Sequence, residues 1–307
     1  MKKLLFGAIM AVLTLGFVSL AIKAPNVYAA QPTVDLGTAK PFAILAGTPD
    51  ITDAGHASVI TGNVGLSPAS GAGIGLLSTQ VIGSIYAVNG AGPSGSINNP
   101  DLLTTAKSDL TTAYTNAAGR TPVNTINTEL GGQHLYAGVY TTNSTALQIT
   151  GGAAGPGPLV LDAQNDASAV FIFEGSDEQA GSLTVGPGGT VSLINGASAC
   201  NVFWRVYGAT INTSAVFKGN ILALTSITVA NGASIEGRLL ARNGEVTLNT
   251  DTITAPVCTN TTVTPKLPNT GSTSLENNRT LLAISIAAVA ALITLASFII
   301  VRTKRAN

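Results

Sequence analysis

The sequence has little charge, few aromatics and hardly any residues able to hold a metal. Charged side chains make up 10% of 307 residues, far below the usual quarter. Fifteen basic residues balance fifteen acidic ones, and no basic patch supplies the phosphate contacts that a nucleic-acid binder needs, so no nucleic-acid partner is expected. Two Cys and two His fall short of the four ligands that structural zinc usually takes, so neither metal nor cofactor is expected. Aromatics stand at 5%, whereas hydrophobic residues reach 45% and Gly numbers 34. That apolar content excludes charge-driven disorder. The remaining composition is that of a stiff, low-charge, β-rich extracellular body.

Both ends read as addresses. Met1-Lys2-Lys3 precedes an apolar run from Leu4 to Ile22 and then Val27-Tyr28-Ala29-Ala30. A basic start, an apolar middle and small residues at −3 and −1 predict a signal peptide over 1–29, against the alternative of an uncleaved anchor. Near the other end stand Leu267, Pro268, Asn269, Thr270 and Gly271, then 21 uncharged residues over 281–301, then Arg302-Thr303-Lys304-Arg305. A run of that length spans a bilayer, and the basic tail would stay on the cytoplasmic side. In that order the parts resemble a sortase sorting signal of the LPxTG type (267–307), preceded by a linker over 259–266. The resemblance implies cleavage after Thr270 and its linkage to peptidoglycan on a Gram-positive cell wall, with only a transient membrane stage. The alternative is an ordinary C-terminal membrane anchor. Between Ala30 and Thr270 there are 8 basic and 14 acidic residues, a net charge of −6, which favours solubility and says nothing of fold.

Inside that stretch a repeat emerges. From residue 159 onward short β-rich segments follow one another over 159–163, 169–174, 182–185, 190–194, 201–206, 210–212, 215–217, 220–223, 226–229, 234–235, 238–241 and 245–249, with Gly, Asn or Ala at the breaks. AVFKGNILALTSITV aligns with ASIEGRLLARNGEVTL: Gly219 falls on Gly237 and Ile221-Leu222-Ala223 on Leu239-Leu240-Ala241. One extra residue then brings 226–229 onto 245–248. A repeat near 18 or 19 with three strands per copy predicts an all-β, three-faced parallel β-helix over 30–258. One segment departs from it: Leu102, Leu103, Ala106, Leu110, Ala113, Tyr114 and Ala117 recur at helical spacing, predicting a helix over about 100–118. Asn99 or Asp101 is available to cap it and Gly119 to stop it. Its single apolar stripe must lie against the solenoid.

FAILAG (42–47), ITGNVGLSP (60–68), DLTTAYTNAAGR (109–120), LGG (130–132), AGVY (137–140), LVLDAQNDASAVFIFE (159–174), VSLINGASACNVFW (191–204) and the run from GNILAL to DTIT (219–254) resemble the ice-binding proteins with the type-1 domain known as DUF3494. The resemblance covers about 34–258. It implies a right-handed β-helix with a long helix alongside, an N-terminal coil packed out of chain order, ice as the partner, and no catalysis.

The repeat assigns one face to 51–53, 148–150, 182–185, 210–213, 226–229 and 245–249. Alternation sends Ile51, Ile149, Leu183, Val185, Ile211, Ile227, Val229, Val246 and Leu248 inward. Outward point Thr52, Thr150, Ser182, Thr184, Thr210, Asn212, Ser226, Thr228, Thr247 and Asn249, with Gln148 beside them and Asp50, Asp53 and Glu245 interrupting. A grid of methyl and hydroxyl groups suits ordered water, whereas charged groups would hold tight hydration shells of another geometry. A Thr ladder is equally what a solvated β surface uses. The family's ice-binding surface generally lies on this face.

Cys200 and Cys258 are a candidate disulfide in a secreted chain, against two free thiols. His56 and His134 read as structural residues, Trp204 as a core filler. Asp162, Asp166, Glu174, Asp177 and Glu178 read as an acidic patch of solvated turns, with no carboxylate pair set about a scissile bond. Two functions follow: a monomeric, wall-displayed ice binder without catalysis, or a β-helical adhesin or wall-structural module contacting a glycan or protein.

Overall fold

The computed structural model describes residues 31–258 other than 122, 145, 154, 179 and 180; the signal segment, the linker, Leu267–Gly271 and the apolar run all lie outside the described residues. Among the described residues, apart from one helix and short 3-10 turns, the regular elements are short strands, and each pairing between them is parallel. They form sheets of thirteen, three and seven strands. The register coincides with the internal alignment of the sequence. Gly219 pairs with Gly237 and Leu222 with Leu240, and after the one-residue insertion Thr228 pairs with Thr247.

The expected strands 215–217 and 220–223 are one strand, Val216–Ala223, and 234–235 and 238–241 are likewise one, Ser234–Ala241. Glycine lets the backbone turn the corner without breaking the ladder. Gly219 sits at φ +113, and a Cβ on Gly237 would lie 1.8 Å from the Gly219 carbonyl oxygen, a contact that only glycine avoids.

Inward side chains build a continuous core of Ile, Leu, Val and Phe. Along it Tyr140, Phe173 and Trp204 stack with centroids 5.5 and 4.0 Å apart, and Phe217 follows at a tilt with its centroid 5.3 Å from that of Trp204. Trp204 is wholly buried, and its indole N–H donates to the Lys218 carbonyl at 3.1 Å, which satisfies the one polar atom it carries.

The helix runs Pro100–Ala118, with the Asn99 side chain accepting from the Leu102 amide, as an N-cap does. Leu103, Ala106, Leu110, Ala113, Tyr114 and Ala117 are buried; Leu102, expected in the stripe, is half-buried at its rim. They pack on Phe42, Leu45, Val139, Ile172, Phe203, Leu222 and Leu240, the outward side of the thirteen-stranded sheet. This covering explains why Phe42–Ala46 and Val202–Val206 are buried at every position, the pattern of strands packed on both faces.

Chain order and stacking order differ. Ile44 and Leu45 pair with Leu239 and Leu240, and Ile51 with Val246. The N-terminal strands therefore stack onto the C-terminal ones.

Candidate functional site

The seven-stranded sheet has one free face. Leu147–Ile149, Leu183–Val185, Ala209–Ile211 and Ile227–Val229 each bury their first and third residues and expose the second. Val246–Leu248 and Ile51–Asp53 repeat the pattern with a half-exposed centre, and Ile74–Gly75 ends the sheet. The inward residues hold the register, because a one-residue slip would put each of them in water.

The central residues thereby fall into one column. Gln148 pairs with Thr184, Thr184 with Thr210, Thr210 with Thr228, Thr228 with Thr247, Thr247 with Thr52 and Thr52 with Gly75. Five threonines thus stand side by side on successive strands, about 4.8 Å apart. Beyond Gln148 the column reaches Glu129 through an isolated bridge. Glu129 is consumed locally, accepting from the Gly131 amide and from the amide and hydroxyl of Thr150.

The flanking positions are less regular. Ser182 and Ser226 are half-exposed, and the Ser226 and Glu245 carbonyls accept the Ala209 and Ile227 amides, as the Asp50 carbonyl accepts that of Val246. Ser226, Glu245 and Asp50 therefore share one edge of the column. On the other edge, Asn212 turns its amide back to the Val185 carbonyl at 2.8 Å. Thr150 is spoken for by Glu129, and Asn249 is half-exposed with its backbone N–H given to Asp251 at 2.8 Å. Of the ten residues expected on this face, the structure aligns Thr52, Thr184, Thr210, Thr228 and Thr247 in the column and leaves the other five beside it.

Asp53 corrects the expectation that it interrupts the surface. It is 3% exposed and points inward, accepting from the Ser58 amide at 3.0 Å, the Gln80 side chain at 2.6 Å and the Thr250 amide at 3.2 Å. Burial alone would raise its carboxyl, yet these bonds outweigh burial and hold it below the ordinary range. Asp251 lies on the same node: its amide donates to the Ser58 hydroxyl at 2.9 Å, and its carboxylate accepts from the Ala233 amide at 2.9 Å. Burial pushes Asp251 up, with Asp53 adding repulsion. Nothing in the sequence marked this node, because its members come together only through the out-of-order stacking.

Of the five acidic residues read as solvated turns, Asp166, Asp177 and Glu178 are exposed, whereas Asp162 is buried and Glu174 half-buried. Asp162 is 7% exposed and accepts from the Gln164 amide and Asn195, each at 2.8 Å, while lying 2.9 Å from the His134 ring. Asp177 pairs with Arg205 and accepts from the Tyr114 hydroxyl at 2.7 Å. Glu174, half-buried beside Arg205 on the neighbouring strand, is pushed up to about 7 by burial, with Arg205 opposing. Asp166 remains a turn residue, accepting from Ser168. Cys200 and Cys258 form a disulfide. Among the described residues no group of three His, Cys, Asp or Glu is placed to hold a metal ion. A groove of about 550 Å³ lies on the other ladders, between Val191–Ile194 and Val216.

The column of threonines on parallel strands can be set beside known proteins. An ice-binding-like family model matches residues 44–254. An ice-binding protein of Flavobacterium frigoris is 40% identical over 227 residues, covering 73% of this chain and 76% of that protein. One from a Colwellia species is 40% identical over 242 residues, 77% of this chain and 89% of that protein. Among solved structures, an ice-binding protein from an Antarctic biological consortium shares 36% identity and a TM-score of 0.64, over 75% of this chain and 94% of that one. The DUF3494 domain of a Shewanella frigidimarina ice-binding protein superposes with a TM-score of 0.65 at 28% identity, over 75% of this chain and all of that domain. Its mostly parallel-β architecture, its single described helix and its sequence agree, and the chain belongs to the ice-binding-like family.

Proposed function

We propose that this protein binds ice through the exposed side of the seven-stranded sheet and is displayed on a Gram-positive cell wall. The single observation that carries the ice-binding reading is the register Thr184–Thr210–Thr228–Thr247–Thr52. Identical short side chains at a strand spacing of about 4.8 Å present methyls and hydroxyls at regular intervals. Water held over such a row is ordered by neutral groups, and the only charge within the strands of this ladder, Asp53, faces inside. The relatives are named for ice binding, which supports carrying that partner to this chain.

The recurrence of ladders in each copy of the repeat supports a three-faced β-helix as the scaffold, and the likeness to the ice-binding family supports a right-handed winding. Wall display is inferred from sequence: a signal over 1–29, then Leu267-Pro268-Asn269-Thr270-Gly271, an apolar span over 281–301 and a basic tail. Sortase would join Thr270 to peptidoglycan, leaving the binding domain, taken as a monomer, free to meet ice.

The deciding experiment is adsorption of fluorescently labelled protein (30–266) to a single ice crystal, with freezing hysteresis measured in parallel. Thr228→Tyr places a bulky ring at the middle of the column without touching the core. We expect the unmodified protein to coat the crystal and the variant to lose most of its adsorption and hysteresis. No adsorption by the unmodified protein would overturn the reading and leave a β-helical adhesin or wall-structural module for a glycan or protein. Wall anchoring has its own test: Thr270→Ala should shift the protein from the wall fraction to the membrane and medium.

A further inference from the structure

We propose that this protein is built to carry tension, and that the Cys200–Cys258 disulfide, with Arg238 beneath it, is where tension enters the fold. The inference rests on the wall-anchor reading, which makes Cys258 the last described residue before the tether. A cell held to a solid surface through such a tether loads the protein between its binding face and that residue.

The stacking order makes this exit vulnerable. The last strand, Thr252–Thr254, does not lie at an end of the stack. It is held between Ser234–Glu236 on one side and Val59–Thr61 on the other. Peeling it outward removes a shared partner of the C-terminal and N-terminal strands. The same pull would reach Asp251, whose carboxylate and amide belong to the buried node with Ser58. A tether leaving from the middle of a stack would pry it apart there, next to Thr247 and Thr52.

The disulfide diverts that pull. It links Cys258 to a residue 58 positions earlier, in the turn Ala199–Asn201 immediately before the strand Val202–Val206. That strand is buried at each position and paired on both sides, with Phe171–Glu174 and Val216–Ala223. Load entering at Cys200 thus bypasses the strands from Val216 to Thr254. The covalent path to Thr210, inside the threonine column, shortens from about 48 residues to about 10, or from ~17 nm to ~3.5 nm of extended chain.

Arg238 fastens what the disulfide joins. It is 3% exposed, and its fork donates to the Lys40 carbonyl at 2.7 Å, the Asn220 side chain at 2.8 Å and the Pro256 carbonyl at 3.1 Å, with both terminal nitrogens 3.8 Å from the Cys258 sulfur. Asn220, wholly buried, passes the connection on by donating to the Ala199 and Val202 carbonyls, each at 3.0 Å. One planar, multidentate cation therefore ties the entering N-terminal segment, the leaving C-terminal segment and the turn that carries Cys200. Simple folding stability does not require a buried cation at this point, since such groups are costly unless fully paired.

The test is single-molecule pulling on the full chain, with one handle at an azido amino acid introduced at Thr210 and the other at the C-terminal residue. The handles occupy the same two positions in every protein compared, so the traces differ only in the bridge. We expect the intact protein to resist until Val202–Val206 itself yields. Without the bridge, in Cys200→Ser with Cys258→Ser, the first rupture should come at a force lower by about twofold or more, followed by the longer extension of residues 210–258, because forced unfolding follows the barrier along the loaded path. Should the double variant fail to fold, phosphine reduction of the folded protein makes the same comparison. Equal first-rupture forces with and without the bridge would overturn the proposal. The pulling geometry needs neither ice nor wall, so a failure of adsorption would sink the ice reading and leave the force comparison to decide the clamp.

Discussion

Glu174 is a carboxyl whose burial works against its charge. Its Oε1 is buried with no hydrogen-bond partner, and its pKa stands at about 7 against an ordinary 4.5. A group raised in this way contributes stability that is fully present below pH 4.5 and is lost as pH rises toward 7. Lys107, lowered to about 7 by burial with Arg242 adding repulsion, stays protonated across most of that window and does not mask it. Glu174→Gln should therefore leave stability near pH 4 little changed and raise it near pH 7.5 by about 1–2 kcal/mol, after discounting for the exposed part of the side chain. Urea melts of both proteins across that range check the prediction. A like difference at pH 4 and 7.5 would refute it. The same scale shows what sequence reading could reach. The threonine column was readable, because Thr184, Thr210, Thr228 and Thr247 each sit between two apolar residues, and Thr52 follows the inward Ile51. Asp53 and Asp162 were not, since an isolated Asp near a turn looks solvated until partners such as Gln80, Thr250, Asn195 and His134 are brought in from elsewhere in the chain. Asp53→Ala would strand the Ser58 and Thr250 amides and should cost about 2–4 kcal/mol, read as a lower urea midpoint.

At the scale of elements, the helix and the strands differ in how they announce themselves. The helix carries its own boundaries: Asn99 caps it, Pro100 fits its first turn and Gly119 follows its last residue. Because its stripe fills the outer side of the thirteen-stranded sheet, Leu110→Ala, at a wholly buried position, should destabilise by about 2–5 kcal/mol. Asn99→Ala, which removes only the cap, should cost about 1 kcal/mol. Equal losses from the two variants would mean that the helix is docked by its end and not by its stripe; thermal melts of both settle it. Strands gave less away. In the sequence Val216–Ala223 reads as two strands because Gly219 resembles a break, whereas the corner there keeps its hydrogen bonds. Ile74–Gly75, Val81–Ile82 and Ile97–Asn98, at two residues each, are too short to show alternation. Their strand character comes from the ladder that receives them.

For the molecule as a whole, the consequence of interest is that sequence position and depth in the stack are decoupled. In the thirteen-stranded sheet the main path runs from Ile97–Asn98 through Ile85–Ala87, Asn63–Leu66 and Phe42–Ala46 to Ser234–Ala241, and ends at Val123–Ile126. The first described strand is therefore interior, paired on both sides, while strands from later in the chain form the two ends of this path. A tail normally frays because nothing covers it, but Phe42–Ala46 is buried at each residue beneath the helix and between two neighbours. Local opening follows the number of partners that must be broken, not distance from a terminus. Amide hydrogen exchange of the native protein should accordingly show Ile44 and Leu45 among the slowest amides, on a par with Trp204 and Leu239. The amides of Ile97 and Asn98 and of Val123 to Ile126, at the ends of the stack, should exchange orders of magnitude faster. Exchange that instead slowed steadily from the N-terminus inward would mean that the early strands are loosely added to a fold complete without them. Protection at Ile44 matching that at Leu239 would mean that the first and last described strands are one cooperative unit, so that the threonine column, which takes Thr52 from one and Thr247 from the other, exists only when both are in place.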